Sequence, residues 1–169
     1  MDDACGWREV RPWAQVPCAP AGKQQKAGNG ELMAVTYTLD RKPAGRDLLP
    51  LYEAAGWLEP GEDAAFLDRL AAGSRQFACA WDDDRLVGTM RALSDGVSDA
   101  YLLDLVVLPA YRHRGIGAEL VRRLGAALRE RGLGWIVLVG APGTAAFYSH
   151  LGAPVLEGYT PYRLKGATG

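Results

Sequence analysis

Histidine and cysteine are scarce in this sequence: it has two of the first and three of the second in 169 residues. Cys5, Cys18 and Cys79 are odd in number and none stand two apart, so neither a disulfide framework nor a zinc site is expected. No apolar run approaches the roughly eighteen residues that cross a bilayer. Residues 1–30 lack the apolar stretch of a secretory signal. Neither sign of charge prevails: nineteen Lys and Arg stand against twenty Asp and Glu, a net charge of −1. The basic excess that drives non-specific nucleic-acid binding is therefore missing. The expected address is a reducing cytoplasm, with no membrane, nucleic-acid or metal partner.

What is present has the balance of an ordinary globular domain, 49% apolar and 23% charged. A chain of this length buries a core without staples. Residues 1–32 read differently from the rest. They hold Trp7 and Trp13 but only Val10, Val16 and Leu32 among the large aliphatics, and no periodicity. A flexible tail is expected there, and one domain over residues 33–169.

From Met33 the pattern becomes regular. Strands are expected at residues 34–39, 75–81, 86–93, 100–108 and 135–139, with two short ones at 155–159 and 162–165. The runs at 100–108 and 135–139 are nearly continuous and read as strands buried on both faces. Helices are expected at 47–55 and 62–72, each closed by a glycine, at 115–131 and at 144–150. Asp82-Asp83-Asp84 reads as a solvated turn between two strands. This order specifies an α/β fold, mixed α+β, around one sheet.

The most informative segment is residues 105–118, in which a buried strand breaks at Pro109 and a glycine-punctuated turn opens a long helix. A helix N-terminus presents unpaired N–H groups and partial positive charge, which suits a phosphate. Gly115 and Gly117 let a ligand approach the backbone, and Arg112 and Arg114 add charge at the rim. Two glycines there weaken the helix by about 1 kcal/mol each relative to Ala, and a plain turn gives no return for that. A dinucleotide fingerprint would need a small residue where Leu120 stands, and no Gly-Lys-Ser/Thr string marks a P-loop.

What stands there is Arg112-x-x-Gly115-x-Gly117, which resembles the acetyl-CoA pyrophosphate loop of the GCN5-related N-acetyltransferase (GNAT) superfamily. Residues 145–153, Ala-Ala-Phe-Tyr-Ser-His-Leu-Gly-Ala, are similar to that family's later Phe-Tyr-x-x-x-Gly-Phe motif, with Ala153 in place of the final Phe. The element order from Met33 onward also matches. The resemblance implies a mostly antiparallel sheet that splays between its fourth and fifth strands, with acetyl-CoA in the gap. It implies backbone contacts from Leu105, Val106 and Val107, and a pyrophosphate cradle of Arg112, His113, Arg114, Gly115, Ile116, Gly117 and Ala118. Tyr148 is then the general acid for the leaving thiolate, and an N–H near Val106 polarises the carbonyl. The family's Asn before the last helix is replaced by Pro142-Gly143-Thr144, which removes one side-chain contact to the cofactor. The implied activity is acetyl transfer to a small-molecule or peptide amine, and the family's final strands often form homodimers.

Asp104 is the one charge inside the fourth strand, and a buried carboxylate needs a partner or an opening. It is either a base for the amine proton or a structural group paired with an arginine such as Arg91. Tyr52 and Trp57 are candidates for the acceptor wall. Phe66 reads as core, and His150 and Cys79 as unpartnered. A non-catalytic acyl-CoA-binding sensor is the alternative that the loop alone does not separate from an enzyme.

Overall fold

The computed structural model describes residues 35–164. The tail expected over residues 1–32, with Trp7 and Trp13, lies outside the described residues, as does Lys165. Five strands form one sheet in sequence order: β1 (Thr36–Thr38), β2 (Gln76–Asp82), β3 (Arg85–Ser94), β4 (Asp99–Val107) and β5 (Trp135–Leu138). The first four are antiparallel and β5 runs parallel to β4. Among the described residues no helix is long and apolar enough to cross a membrane.

Helices cover both faces. Helix α3 (Ile116–Glu130) carries a stripe of Ile116, Leu120, Leu124 and Leu128 that is buried against β2, β3 and β4. Its arginines and Glu119 point outward and pair along the helix surface. On the other face lies α1 (Gly45–Ala55), with Leu48, Leu51 and Tyr52 buried. Its first turn is held by the Asp47 carboxylate, which accepts from Ala44 N–H at 3.1 Å, and it stops at left-handed Gly56. Helix α2 (Ala64–Gly73) is capped by Asp63, which accepts from Phe66 N–H at 3.0 Å, and packs against α1. The short α4 (Ala145–His150) follows β5.

Two expectations for the strands need correction. The fourth and fifth strands are not buried on both faces: β4 is half-buried from Leu103 to Leu105, and β5 is the sheet's outer strand, with Trp135 43% exposed. The two final strands are absent. Residues 153–164 form no strand among those described, and Val155, Tyr159, Tyr162 and Leu164 are exposed. The alternation there resembled a strand, but Pro154 and Pro161 bring no N–H to a ladder and Gly158 adopts φ 80°. The turn expectation also shifts: Asp83 and Asp84 make the turn, whereas Asp82 belongs to β2 and is half-buried.

The placement of α1 depends on a close crossing. Gly45 N–H donates to Asp68 Oδ1 at 2.6 Å, and a Cβ at Gly45 would lie 1.9 Å from the Ala64 carbonyl oxygen. Backbone cannot yield there as a side chain could. Gly45→Ala is expected to destabilise the fold by about 2–3 kcal/mol, the range of overpacked sites. Gly73→Ala, with no atom within 4 Å of its Cβ, should be neutral. Urea unfolding of the two variants checks the contrast.

Candidate active site

The loop between β4 and α3 is built from alternating backbone conformations. Pro109 opens a single 3-10 turn, Pro109–Tyr111, whose fixed φ suits a first helical position. Arg112 is extended, His113 is left-handed (φ 61°) and Gly115 is left-handed (φ 79°) before α3 begins. Such alternation turns successive N–H groups toward one concavity, a nest for an anion. The first helical bond back to this loop is Glu119 N–H to Gly115 C=O at 3.0 Å. The amides of Ile116, Gly117 and Ala118 therefore have no acceptor within the helix. Arg112, His113, Arg114 and Gly115 are exposed. The Arg112 Nε donates to the Val107 carbonyl at 3.0 Å, so its guanidinium is drawn back to the strand end. The Arg114 guanidinium lies over the Tyr111 ring, 5.2 Å from its centroid.

Beside the loop the sheet comes apart. Strands β4 and β5 pair from Asp99 with Trp135 to Leu102 with Leu138, and there β5 ends. The stretch of β4 from Leu103 to Val107 keeps β3 on one side and, among the described residues, has no strand on the other. Leu105, Val106 and Val107 lie on this free stretch. Within it Asp104 has φ 54°, and Asp104 and Leu105 together stand opposite Met90. This bulge, two residues against one, bends the strand and re-aims its side chains.

Asp104 consequently meets the α1 side of the sheet. Its Oδ2 accepts from Arg91 Nε at 2.5 Å and from the Tyr52 hydroxyl at 2.7 Å. The guanidinium also donates to Ser74 Oγ at 3.3 Å. The expected partnership with Arg91 is present, and the carboxylate remains 23% exposed. No hydrogen bond is formed by its Oδ1 among the described residues. Tyr52 is buried, reaching the site through its hydroxyl, and Trp57 packs edge-on to its ring at 5.4 Å. Burial, and then the Asp104 charge, raise the Tyr52 hydroxyl far above an ordinary tyrosine.

On the β5 side, Tyr148 is half-buried on α4, and its hydroxyl has no hydrogen-bond partner among the described residues. Burial raises its pKa above that of an ordinary tyrosine, so it stays protonated through the neutral range. An open cleft of about 830 Å³ runs along β5, lined by Leu102, Val121, Leu138, Gly140 and Tyr148 among others. That volume is typical of small-molecule sites. No hydrogen bond joins Tyr148 to Asp104.

Sequence reasoning passed over two participants. At Gly140 a Cβ would lie 2.8 Å from Thr144 Oγ1 and 3.5 Å from the Tyr148 ring, so its small size seats Tyr148. Thr144, where the family's Asn is missing, uses its hydroxyl locally, on the Ala141 carbonyl at 2.6 Å. Tyr111 donates to Asp82 at 2.5 Å. A glycine straight after an apolar run was a faint signal for the first. Nothing local signals the second, whose partners are 29 residues apart.

The two loop glycines differ in what requires them. Gly115 needs its left-handed φ, whereas a Cβ on Gly117 would meet Phe147, Val107 and Leu105 at comfortable distances of 3.7 to 4.0 Å. Gly115→Ala is expected to lose about 1 kcal/mol of stability. Gly117→Ala should lose none, because Ala favours helix. Equal losses in thermal unfolding would contradict the loop geometry.

Residues 42–153 match the acetyltransferase (GNAT) family. The chain is 30% identical over 131 residues to serotonin N-acetyltransferase 2, chloroplastic, of Oryza sativa subsp. japonica, covering 73% of this chain and 64% of that one. It is 34% identical over 127 residues to an uncharacterized N-acetyltransferase, ycf52, of Gracilaria tenuistipitata var. liui, covering 74% and 70%. A solved GNAT family acetyltransferase from Streptococcus pneumoniae superposes with a TM-score of 0.66 at 26% identity, over 80% of this chain and all of that one. The match thus spans just under two thirds of the rice protein's length. With the loop string, the divergent strands and these likenesses in agreement, the chain belongs to the GNAT acetyltransferase family.

Proposed function

We propose that this protein transfers an acetyl group from acetyl-CoA to a primary amine by direct attack. The observation that carries the reading is the free edge of β4, Leu103–Val107, running straight into a nest of unpaired amides at the start of α3. The residues fit the cofactor: the nest and the α3 dipole suit a pyrophosphate, and Arg114 borders it. The free strand edge suits an extended amide-bearing arm, which bonds to backbone as a strand does. Acetyl-CoA supplies the acetyl thioester.

The chain's own groups divide the remaining work. An N–H on the β4 edge near Val106 donates to the thioester carbonyl oxygen as negative charge develops there. The amine nitrogen forms the new C–N bond while the C–S bond breaks. Asp104 Oδ1 receives the amine's proton, directly or through a water. Tyr148 gives its proton to the departing sulfur and regains one from solvent. Its raised pKa keeps the acid loaded at neutral pH. Trp57 and the Tyr52–Asp104–Arg91 group form the acceptor wall, and serotonin, the arylalkylamine in the rice relative's name, makes such amines the first to screen.

One observation favours the alternative, a non-catalytic acyl-CoA sensor: Asp104 Oδ2 is already committed to Arg91 and Tyr52. Release of coenzyme A that rises with added amine excludes it. The exposed outer side of β5, with Trp135, Val139 and Tyr159, supports a homodimer. Sedimentation at micromolar concentration tests this.

Tyr148→Phe keeps the ring and its packing and removes the proton. Turnover is expected to fall about 100-fold, with acetyl-CoA affinity changed by less than about threefold, since most cofactor contacts lie in the loop. Because burial raises the Tyr148 pKa, the wild type should keep its acid form to a higher pH than an ordinary tyrosine would. Unchanged turnover in the variant, with a chemically limited amine, would remove Tyr148 from the mechanism.

A further inference from the structure

The loop that forms the nest touches little of the protein. Residues 112–115 are exposed, and among the described residues two of their side chains make a hydrogen bond or cation–π contact to the domain. Arg112 bonds the Val107 carbonyl, and Arg114 rests on the Tyr111 ring. Tyr111 is the last residue of the 3-10 turn and precedes Arg112 directly, so the orientation of its ring sets where the loop begins. That ring is fixed from far off in sequence. Its hydroxyl donates to Asp82 Oδ2 at 2.5 Å.

Asp82 is well placed to act as an anchor. It ends β2, pairs with Arg85 across the hairpin and follows Trp81, which is 2% exposed. The other carboxylate oxygen, Oδ1, is buried, and among the described residues it has no hydrogen-bond partner and Tyr111 is the one group bonded to this side chain. A half-buried carboxylate with a single neutral donor is costly to maintain. Solvation alone does not explain it, whereas a load on Tyr111 does. The hydrogen bond to Asp82 also raises the Tyr111 hydroxyl pKa, so the donor keeps its proton at any ordinary pH.

We infer that Asp82, on the β2–β3 hairpin, is a positioning residue for the cofactor loop: through Tyr111 it holds the ring on which Arg114 rests and so sets the nest before the cofactor arrives. Preorganisation of this kind appears as affinity, because ordering a loose loop would otherwise be charged to binding. The inference rests on the acetyl-CoA reading, and its test separates the two.

Calorimetric titration with acetyl-CoA is run on the wild type, Tyr111→Phe, Asp82→Ala, Asp82→Asn and the double variant Asp82→Ala/Tyr111→Phe. Kinetics follow on the same set. Tyr111→Phe and Asp82→Ala should each weaken acetyl-CoA binding about tenfold, the size of one hydrogen bond to a charged group. The double variant should be no weaker than either single one. Asp82→Asn keeps an acceptor for the Tyr111 hydroxyl and should restore most of the affinity. The KM for the amine and kcat at saturating acetyl-CoA should not move. Wild-type affinity in Tyr111→Phe, additive losses, or equal effects on the amine KM would overturn the positioning role. Tyr111→Phe retains the ring, so it remains decisive if Asp82→Ala fails to fold. A wild type that does not bind acetyl-CoA would overturn the reading beneath the inference, and the inference with it.

Discussion

The site depends on one backbone constraint, the left-handed conformation of Asp104 in the middle of β4 (φ 54°). A side chain with a Cβ resists that region by about 1–2 kcal/mol, and Asp is among the residues that tolerate it best. The strain is held in place by what it creates. The bulge sets two residues of β4 against Met90 and aims the carboxylate at Arg91 and Tyr52. Two donors on one oxygen then lock the conformation that brought them together. Strained backbone that its surroundings over-determine is characteristic of functional sites.

The same bulge marks where the sheet opens. Pairing with β5 is complete at Leu102, two residues before Asp104, and β4 continues alone to the loop. A strand edge without a neighbour is normally a liability. Here it leads into the loop that opens at the positive pole of α3, so strand amides and helix amides follow each other along the chain. The buried stripe of α3 against β2, β3 and β4 makes that pole rigid. On the other face, α1 is positioned by its close crossing with α2 at Gly45. Helices thus pack on both faces of the sheet, and β4 contacts those of each.

Features with a local cause were legible in the sequence. The loop string at Arg112, Gly115 and Gly117 showed itself because glycine at a helix start needs a reason. The helices showed themselves through stripes such as Ile116, Leu120, Leu124 and Leu128 and through closing residues such as Gly56. The lone charge of Asp104 in an apolar strand called for a partner, and Arg91 was named as a candidate; the pairing of β3 with β4 is what brings the two together. Tyr52 was read as a wall, but its bond to Asp104 spans 52 residues and has no sequence signal. The link from Asp82 to Tyr111 was hidden in the same way, inside a run of three aspartates that reads as a solvated turn. The final strands failed for the opposite reason. Their alternation was visible, but a strand needs a neighbour with free N–H and C=O groups, and prolines at 154 and 161 with Gly158 spoil the match.

The central claim is that the free edge of β4 and the start of α3 act together as one cofactor surface. Backbone hydrogen exchange with and without acetyl-CoA reads both at once. The account predicts that amides within residues 103–107 and at 116–118 slow together on addition of acetyl-CoA, while those of β2 and the buried side of α3 are unchanged. Protection at the helix start without protection in β4, or none at either, would contradict it.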